Sequence, residues 1–439
     1  MHTRTHTTRH PSMPGRAARL LAASACLLLA VAAPAQQPAA PAAKADKFDR
    51  AELREIADLA LIPPVINPSP LPRYDYDTQD YVMALTTERT PKGRIWTAWI
   101  GGGDSPKAFL LAASSDDNGE TWSKPRLVID AQSPNLPIPR TVIIGNFWTD
   151  PLGRLWLFFD QTMNHFDGRS GLWATICENP DDASPAWSPP RRIWHGSMLN
   201  KPTVLSSGEW LLPAYLLQRD GIGPFKGKNV FSELDPQRGV NVLASSDQGK
   251  TWSLRGLRPF PNPDWHEAMI VEKKNGKLWM MARTKKGIME SFSDDQGATW
   301  SEPAGTAANI RNTNSRFFFR RLASGRLLLV KNGDELHKSK GRLQLSAWLS
   351  DDDGATWKGG LLIEDRVEKR ATYPDGFQAP DGTIYIAYDY NRGPGQILMG
   401  RFTEADILAG KPVDPRTKLK MVVARPLKKQ EPQAEAGAE

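Results

Sequence analysis

Short apolar runs that follow a glycine recur along the chain and set its pattern of hydrophobic and polar positions. Glycine accepts a positive φ, and the β-branched and aromatic residues after it suit a pleated sheet. Each run therefore predicts a hairpin turn leading into a strand that is buried on both faces. Six copies occur, at Gly93-Arg94-Ile95-Trp96, Gly153-Arg154-Leu155-Trp156, Gly208-Glu209-Trp210-Leu211, Gly276-Lys277-Leu278-Trp279, Gly325-Arg326-Leu327-Leu328 and Gly382-Thr383-Ile384-Tyr385.

A second pattern, Ser-x-Asp-x-Gly-x-Thr-Trp, occurs four times, at residues 115–122, 245–252, 293–300 and 350–357, and a weaker copy ends at Trp187. In such a turn the Asp side chain accepts hydrogen bonds from main-chain N–H groups, and the Trp ring packs between neighbouring elements. Each copy has one to three acidic side chains on an exposed turn, too few to converge on a calcium ion. We interpret the pattern as a folding device.

The spacing of these copies fits one particular architecture. The repeat is about 58 residues long, which accommodates several strands and exceeds a leucine-rich or hexapeptide repeat. The 35 glycines and 36 prolines supply many tight turns. The predicted fold is all-β: a six-bladed β-propeller of four-stranded antiparallel blades over residues 66–425.

The amino-terminal segment has the pattern of a targeting signal. Arg16 and Arg19 precede an apolar run over residues 20–33, and Ala33-Pro34-Ala35 provides the small residues of a cleavage site. We predict a signal peptide at 1–35, an Ala/Pro-rich linker and lead-in at 36–65, and a disordered tail at 426–439. No apolar run reaches the roughly 20 residues that a membrane span needs. The protein is therefore expected to be exported, to the periplasm or beyond, with no membrane span.

Composition narrows the classes of function. The 439 residues are 40% hydrophobic and 24% charged, as in a globular protein. The net charge is +7, but five positive charges precede the predicted folded part, which argues against nucleic-acid binding. The histidines lack a metal-ligand spacing, and cleavage of the signal removes Cys26 and leaves Cys177 alone. No metal, cofactor or disulfide is predicted.

With these boxes and six blades, residues 74–401 resemble the sialidase superfamily, whose members share an Asp-box propeller. The resemblance implies an exo-acting glycoside hydrolase that removes a terminal sugar from a glycan. It also implies a Tyr nucleophile activated by a Glu, an Asp acid/base on a mobile loop, and three Arg that grip the substrate carboxylate. A phenol suits this chemistry because the carboxylate next to the anomeric carbon repels an anionic nucleophile.

Five residues of this chain match the family's site by motif. The segment 266–272 and the strand that follows it are similar to the family segment that carries the Glu and the second Arg, which places those roles on Glu267 and Arg283. Arg342 precedes the fourth box, where the family has its third Arg. Tyr373 lies in a segment similar to the nucleophile segment, and Asp104 lies in a Gly-rich loop between the first strand and the first box, as the acid/base does.

The chain departs from the family at the first Arg. Met83 stands where that Arg is expected, and Arg73 and Arg89 are candidates to replace it. Because a bidentate Arg–carboxylate contact orients the substrate, the change weakens the prediction of sialic acid itself. It leaves two alternatives open: a hydrolase or lyase acting on a uronic-type glycan, and a carbohydrate-binding propeller without turnover.

Arg140 and the segment Asn200-Lys201-Pro202 are considered for the rim of the pocket without a motif that supports them. The basic run at 316–321 is interpreted as a polar edge or turn.

Overall fold

The computed structural model describes residues 47–426. The predicted signal peptide, the first part of the linker (residues 36–46) and the tail after residue 426 lie outside the described residues. The described residues 47–426 belong to one compact unit.

Six antiparallel sheets follow one another along the chain, and in five of them the strands are arranged in sequence order. The first three blades consist of β1 (Met83–Arg89), β2 (Ile95–Gly101), β3 (Phe109–Ser115) and β4 (Leu127–Ile129); β5 (Arg140–Thr141), β6 (Gly145–Thr149), β7 (Leu155–Met163), β8 (Gly171–Cys177) and β9 (Arg191–Trp194); and β10 (Thr203–Val204), β11 (Trp210–Leu216), β12 (Gly239–Ser245) and β13 (Ser253–Arg258). In the second blade, β5 and β6 both pair with β7.

The last three blades have four strands each. They consist of β14 (His266–Glu272), β15 (Leu278–Thr284), β16 (Gly287–Ser293) and β17 (Ala304–Gly305); β18 (Phe318–Arg321), β19 (Leu327–Asn332), β20 (Leu345–Ser350) and β21 (Lys358–Glu364); and β22 (Ala371–Gln378), β23 (Ile384–Tyr390), β24 (Gln396–Phe402) and β25 (Lys418–Ala424). The first strands of neighbouring blades contact one another, at β1–β6, β10–β14, β14–β18, β18–β22 and β22–β1. These contacts arrange the blades around a central axis, so the predicted six-bladed propeller is confirmed.

The glycine-led runs form the second strand of every blade. The six turn glycines have φ between 82° and 107°, a region that favours glycine over residues with a Cβ. The strands that they begin, β2, β7, β11, β15, β19 and β23, are buried along their whole length. The predicted hairpin turns and buried strands are therefore both present.

The four intact Ser/Asp/Thr/Trp boxes share one hydrogen-bond geometry at the end of the third strand. In the third of them, Ser293 Oγ donates to Asp295 Oδ1 at 2.8 Å, and the Thr299 N–H donates to the same oxygen at 2.9 Å. The Asp side chain thus accepts hydrogen bonds from groups of its own turn, as the sequence predicted. The sixth blade has a short helix, α2 (Glu404–Ala409), after its third strand instead.

A helix, α1 (Arg50–Asp58), forms within the segment that the sequence analysis assigned to the linker and lead-in. Asp49 caps its first turn and the Glu52 carboxylate accepts a hydrogen bond from the Asp49 N–H, which makes a capping box. Its apolar face packs on a core cluster that includes Leu53, Phe166 and Phe231. No helix within residues 47–426 is both long and apolar enough to cross a membrane.

Candidate active site

Tyr373, Glu267 and Arg283 form a triangle of hydrogen bonds near the axis. The Tyr373 hydroxyl donates to Glu267 Oε1 at 2.8 Å. Arg283 Nη1 donates to the same carboxylate oxygen at 2.7 Å and to the tyrosine oxygen at 3.0 Å. The tyrosine oxygen thus faces a base that can take its proton and a cation that can stabilise the resulting phenolate.

Both the tyrosine and the glutamate sit where their strands leave the regular ladder. The pairing of β14 with β15 shifts register between His266 and Met269, and that of β22 with β23 shifts between Thr372 and Asp375. Glu267 has φ 45° and Tyr373 has φ 58°, in the left-handed region that residues with a Cβ rarely adopt. Such bulges re-aim a side chain, and backbone strain of this kind clusters at functional sites.

Surrounding groups fix Arg283 and the protonation state of Tyr373. Arg283 Nε donates to Asn314 Oδ1 at 2.7 Å, and Nη2 lies 3.2 Å from Asp264 Oδ2. Burial by itself lowers the pKa of Arg283, but Glu267, Tyr373 and Asp264 raise it by more, so the pKa lies above its usual value. Burial and the nearby Glu267 raise the pKa of Tyr373. The hydroxyl is therefore protonated at rest, and Arg283 is charged.

A cavity of about 660 Å³ lies next to this triangle. Asp104 and Arg342 line it, together with Thr372, which precedes the tyrosine. Of the five residues that the sequence singled out, Asp104 and Arg342 line this cavity, whereas Tyr373, Glu267 and Arg283 are not among its lining residues. Tyr373 is connected to the lining by Arg392, whose guanidinium lies over the tyrosine ring. The charged lining of the cavity is mainly basic and consists of Arg342, Lys369, Arg370 and Arg392, with Asp104 and Glu368 as the acidic side chains.

Asp104 lies in the loop between β2 and β3, half-exposed on the cavity wall. Its Oδ2 is 3.5 Å from Arg392 Nη1, and its Oδ1 is 3.7 Å from His165 Nε2. Burial lowers the pKa of His165, although Asp104 opposes the shift.

Arg342 reaches the cavity from the loop before β20. Its Nε and Nη2 both donate to the carbonyl oxygen of Asn314, at 3.2 and 2.8 Å. Burial and the neighbouring Arg283 lower the pKa of Arg342. Arg342 has no ion pair among residues 47–426, so its guanidinium retains donors for a ligand.

The sequence analysis missed Arg392, which follows β23. Its guanidinium lies over the Tyr373 ring, 4.3 Å from the ring centroid, and its Nε donates to the buried Asp389 at 3.2 Å. The N–H of Val82, just before β1, donates to the Arg392 carbonyl at 2.9 Å. The last blade thus brings a guanidinium beside the segment in which the family's first Arg is expected. No sequence motif marks Arg392, because its contact with the segment before β1 forms only when the sixth blade meets the first and closes the propeller.

The residues considered as substitutes for the first Arg lie elsewhere. Met83 is buried in a core cluster. Arg73 donates to the Tyr74 hydroxyl at 2.6 Å, and Arg89 donates to Asn118 in the first box at 2.9 Å. Arg392, rather than Arg73 or Arg89, occupies the cavity wall.

Asn200 and Lys201 are buried and do not line this cavity, and the basic run begins in the core, with only Arg320 and Arg321 at its end partly exposed. Arg316 is fully buried and pairs with Asp375 at 2.8 Å, whereas residues 318–321 form β18. Lys201 is buried and lies 3.1 Å from both Asp375 and Glu88. Together with Asn200, these charges form a network between the first strands of the blades, where ion pairing satisfies groups that burial would otherwise penalise.

Two remaining expectations concern Arg140 and metals. Arg140 donates to the carbonyl oxygens of Leu59 and Ala131, which ties the lead-in to the propeller. Within the described part of the chain, no group of three or more His, Cys, Asp or Glu side chains is arranged to hold a metal ion.

Comparisons with known proteins agree with this geometry. A family model described as a BNR repeat-like domain matches residues 93–386. A sialidase of Vibrio cholerae serotype O1 is 25% identical over 235 residues, which cover 46% of this chain and 28% of that protein. The chain thus matches little more than a quarter of the length of its curated relative.

Solved structures resemble the fold over most of the chain. The intramolecular trans-sialidase from Ruminococcus gnavus superposes with a TM-score of 0.60 and 14% identity over 78% of this chain and 98% of that one. A protein of unknown function from Dyadobacter fermentans gives a TM-score of 0.54 and 15% identity over 73% and 94%.

Blade number, strand order and these matches define the class as a sialidase-like β-propeller. Within that class, the chain belongs to the family of the BNR repeat-like domain.

Proposed function

We propose that this protein is an exo-acting glycoside hydrolase that removes a terminal acidic sugar from a glycan with retention of configuration. The observation that carries the proposal is the Tyr373–Glu267 hydrogen bond of 2.8 Å, with Arg283 bonded to both side chains. A binding module would need neither a base on a buried tyrosine nor two strained backbone positions to hold the pair.

The proposed reaction has two steps. Asp104 protonates the leaving oxygen while Tyr373 attacks the anomeric carbon and passes its proton to Glu267. The glycosidic bond breaks and a glycosyl–tyrosine bond forms, with the phenolic oxygen stabilised by Arg283. Water, deprotonated by Asp104, then attacks the anomeric carbon, and the tyrosine recovers its proton from Glu267.

The charge of the cavity supports an acidic substrate. Arg342 has N–H donors that no carboxylate of the described residues occupies, and Arg392 Nη1 lies on the cavity wall, 3.5 Å from Asp104 Oδ2. Guanidinium groups recognise carboxylates through paired hydrogen bonds. Together with the resemblance to the Vibrio cholerae sialidase, this favours a sialoside. Met83 stands in place of the family's first Arg and is buried, so the contacts to a substrate carboxylate differ from the family pattern. A uronic-type glycan is therefore the second candidate.

Location is part of the proposal. The Arg-flanked apolar run at residues 16–35 supports export, which would place the enzyme with external glycans. Mass spectrometry of the protein secreted by its host would show an amino terminus near residue 36.

The first test is release of fluorophore from a 4-methylumbelliferyl sialoside, with a 4-methylumbelliferyl glucuronide in parallel. Tyr373→Phe removes the nucleophile, so we expect kcat to fall by at least about 10³-fold, the order seen when a nucleophile or a key stabilising group is lost. Tyr388→Phe is the matched control, because Tyr388 is also buried and donates to a glutamate, Glu364, at 3.1 Å.

The outcomes separate the candidates. Turnover of the sialoside that Tyr373→Phe abolishes and Tyr388→Phe preserves supports the proposal. Turnover of the glucuronide alone supports the uronic-type alternative. Failure of the wild-type protein to release fluorophore from either substrate contradicts the proposed hydrolase.

A further inference from the structure

We propose that Arg316 is a positioning residue, which fixes Tyr373 against Glu267 by tying their two strands together beneath the site. The proposal rests on the proposed function, because it concerns the pair to which the chemistry is assigned. Arg316 begins the basic run at 316–321, which the sequence analysis interpreted as a polar edge or turn.

A continuous path of hydrogen bonds makes the tie. Asp375 follows Tyr373 by two residues, and its Oδ1 accepts from Arg316 Nη2 at 2.8 Å. Arg316 Nε donates to Asn200 Oδ1 at 2.9 Å. Asn200 Nδ2 then donates to the carbonyl oxygen of Glu267 at 2.7 Å. Three bonds thus connect the strand of the nucleophile to the backbone of its base.

The strands need such a tie at this point. Regular ladder pairing fixes the position of a strand, but both strands have a register shift here. Tyr373 and Glu267 also hold left-handed backbone conformations, which persist only when their surroundings enforce them. The path through Arg316 supplies a constraint where the ladder is interrupted.

Arg316 can act as a rigid link because it is itself fixed. Its side chain is 0% exposed, Nη1 donates to the Leu85 carbonyl at 2.6 Å, and Nη2 also donates to the Leu199 carbonyl at 2.7 Å. A planar fork with five donors can make these bonds together with those to Asn200 and Asp375. A lysine cannot, because its ammonium group is a single point with three donors.

The other oxygen of Asp375 is held separately. It accepts from the Thr86 hydroxyl and the Thr87 N–H, both at 2.9 Å, and lies 3.1 Å from Lys201. Burial raises the pKa of Asp375, but Lys201 and Arg316 outweigh it and hold that pKa below its usual value. The carboxylate remains charged and anchored on both sides.

The test cuts the tie at two different bonds. Arg316→Lys keeps a cation near Asp375 but loses the fork. Asn200→Asp keeps an acceptor for Arg316 but replaces the donor to Glu267 with an oxygen. We expect each variant to lower kcat by about 10- to 100-fold and to change KM by less than about threefold, because a displaced nucleophile slows chemistry rather than binding.

The control is Asp406→Asn, which alters a buried carboxylate in α2 that accepts from Thr417 and from main-chain N–H groups. It should lower the melting temperature while leaving kcat unchanged. If Asp406→Asn and the two tie variants lose the same amount of stability and also the same amount of kcat, Arg316 is only a stabilising residue. That result would overturn the proposal.

A second measurement does not depend on turnover. In crystal structures, the distance from Tyr373 Oη to Glu267 Oε1 should increase from 2.8 Å to beyond hydrogen-bonding range in both tie variants. An unchanged distance in both overturns the proposal even if the wild-type enzyme is active. An increased distance supports it even if no glycoside is hydrolysed, in which case only the proposed function fails.

Discussion

Two clusters of charge lie one beside the other near the axis and differ in how completely their members are paired. In the closed cluster, made of Glu88, Lys201, Arg316 and Asp375, each cation has a carboxylate within 3.1 Å. The open cluster comprises Glu267, Arg283, Arg342, Tyr373 and Arg392. There, Arg342 has no ion pair in the described chain, and Glu267 Oε2 is buried without a hydrogen bond.

The difference shows which buried polar groups remain available to bind a ligand. Leaving a buried charged group without a partner costs free energy, which favours pairing wherever only stability matters. The closed cluster follows this rule, whereas the open cluster retains free donors and a free acceptor around one hydroxyl. A ligand that supplies an anionic group and a proton would satisfy what the protein leaves unpaired.

The largest effect should appear when each cluster loses one arginine. Arg316→Met leaves Asp375 with one cation instead of two, and we expect the free energy of unfolding to fall by about 3–5 kcal/mol. Arg342→Met removes an unpaired, partly buried cation, so a gain of up to about 1 kcal/mol is expected. Urea unfolding of both variants measures the contrast, and equal losses would mean that the two clusters do not differ.

The next effect concerns the open cluster alone. Arg392→Met removes a guanidinium from the cavity wall, so KM for an acidic glycoside should rise by about 10- to 100-fold, equivalent to about 1.4–2.7 kcal/mol. The methyl ester of the same glycoside should show little change, because its carboxyl group carries no charge. Arg89→Met, which alters an arginine bonded to the first box, is the control. A similar rise in KM for acid and ester would rule out charge recognition by Arg392.

The smallest effect is a pH dependence next to the open cluster. Burial lowers the pKa of His266 to about 4, and its Nε2 hydrogen-bonds Gln218 at 2.8 Å. Between pH 6.5 and 4 the unfolded chain binds more protons at this residue, so stability falls as the pH decreases through that window. The slope is at most about 1.4 kcal/mol per pH unit.

His266→Gln should flatten this dependence between pH 6 and 5 by about 1 kcal/mol. Asp160, whose pKa burial raises to about 6, acts in the opposite direction, but it is present in both proteins and cancels in the comparison. Parallel stability curves for wild type and variant would show that His266 is not held neutral.

The open cluster was largely predictable from sequence, and the closed cluster was not. Glu267 and Arg283 face each other because they flank one hairpin turn, and Tyr373 stands at a recognisable strand segment. Local spacing places Glu267 opposite Arg283, whereas Tyr373 was identified by the resemblance of its segment to the family's nucleophile segment, 106 residues from Glu267. Arg316 and Lys201 were misjudged because charged side chains usually lie in solvent, and only opposite charges brought from other blades make their burial possible.

The sequence by itself determined the blades of this protein. The turn glycines and the Ser/Asp/Thr/Trp boxes act within a few residues of their own position, so their repetition predicts the strands, their order and the number of blades. Only the tertiary structure decided which charges meet. Arg392 contacts Tyr373 within the sixth blade, but it reaches Asp104 because the sixth blade packs against the first, and that contact joins residues nearly the whole propeller apart in the chain.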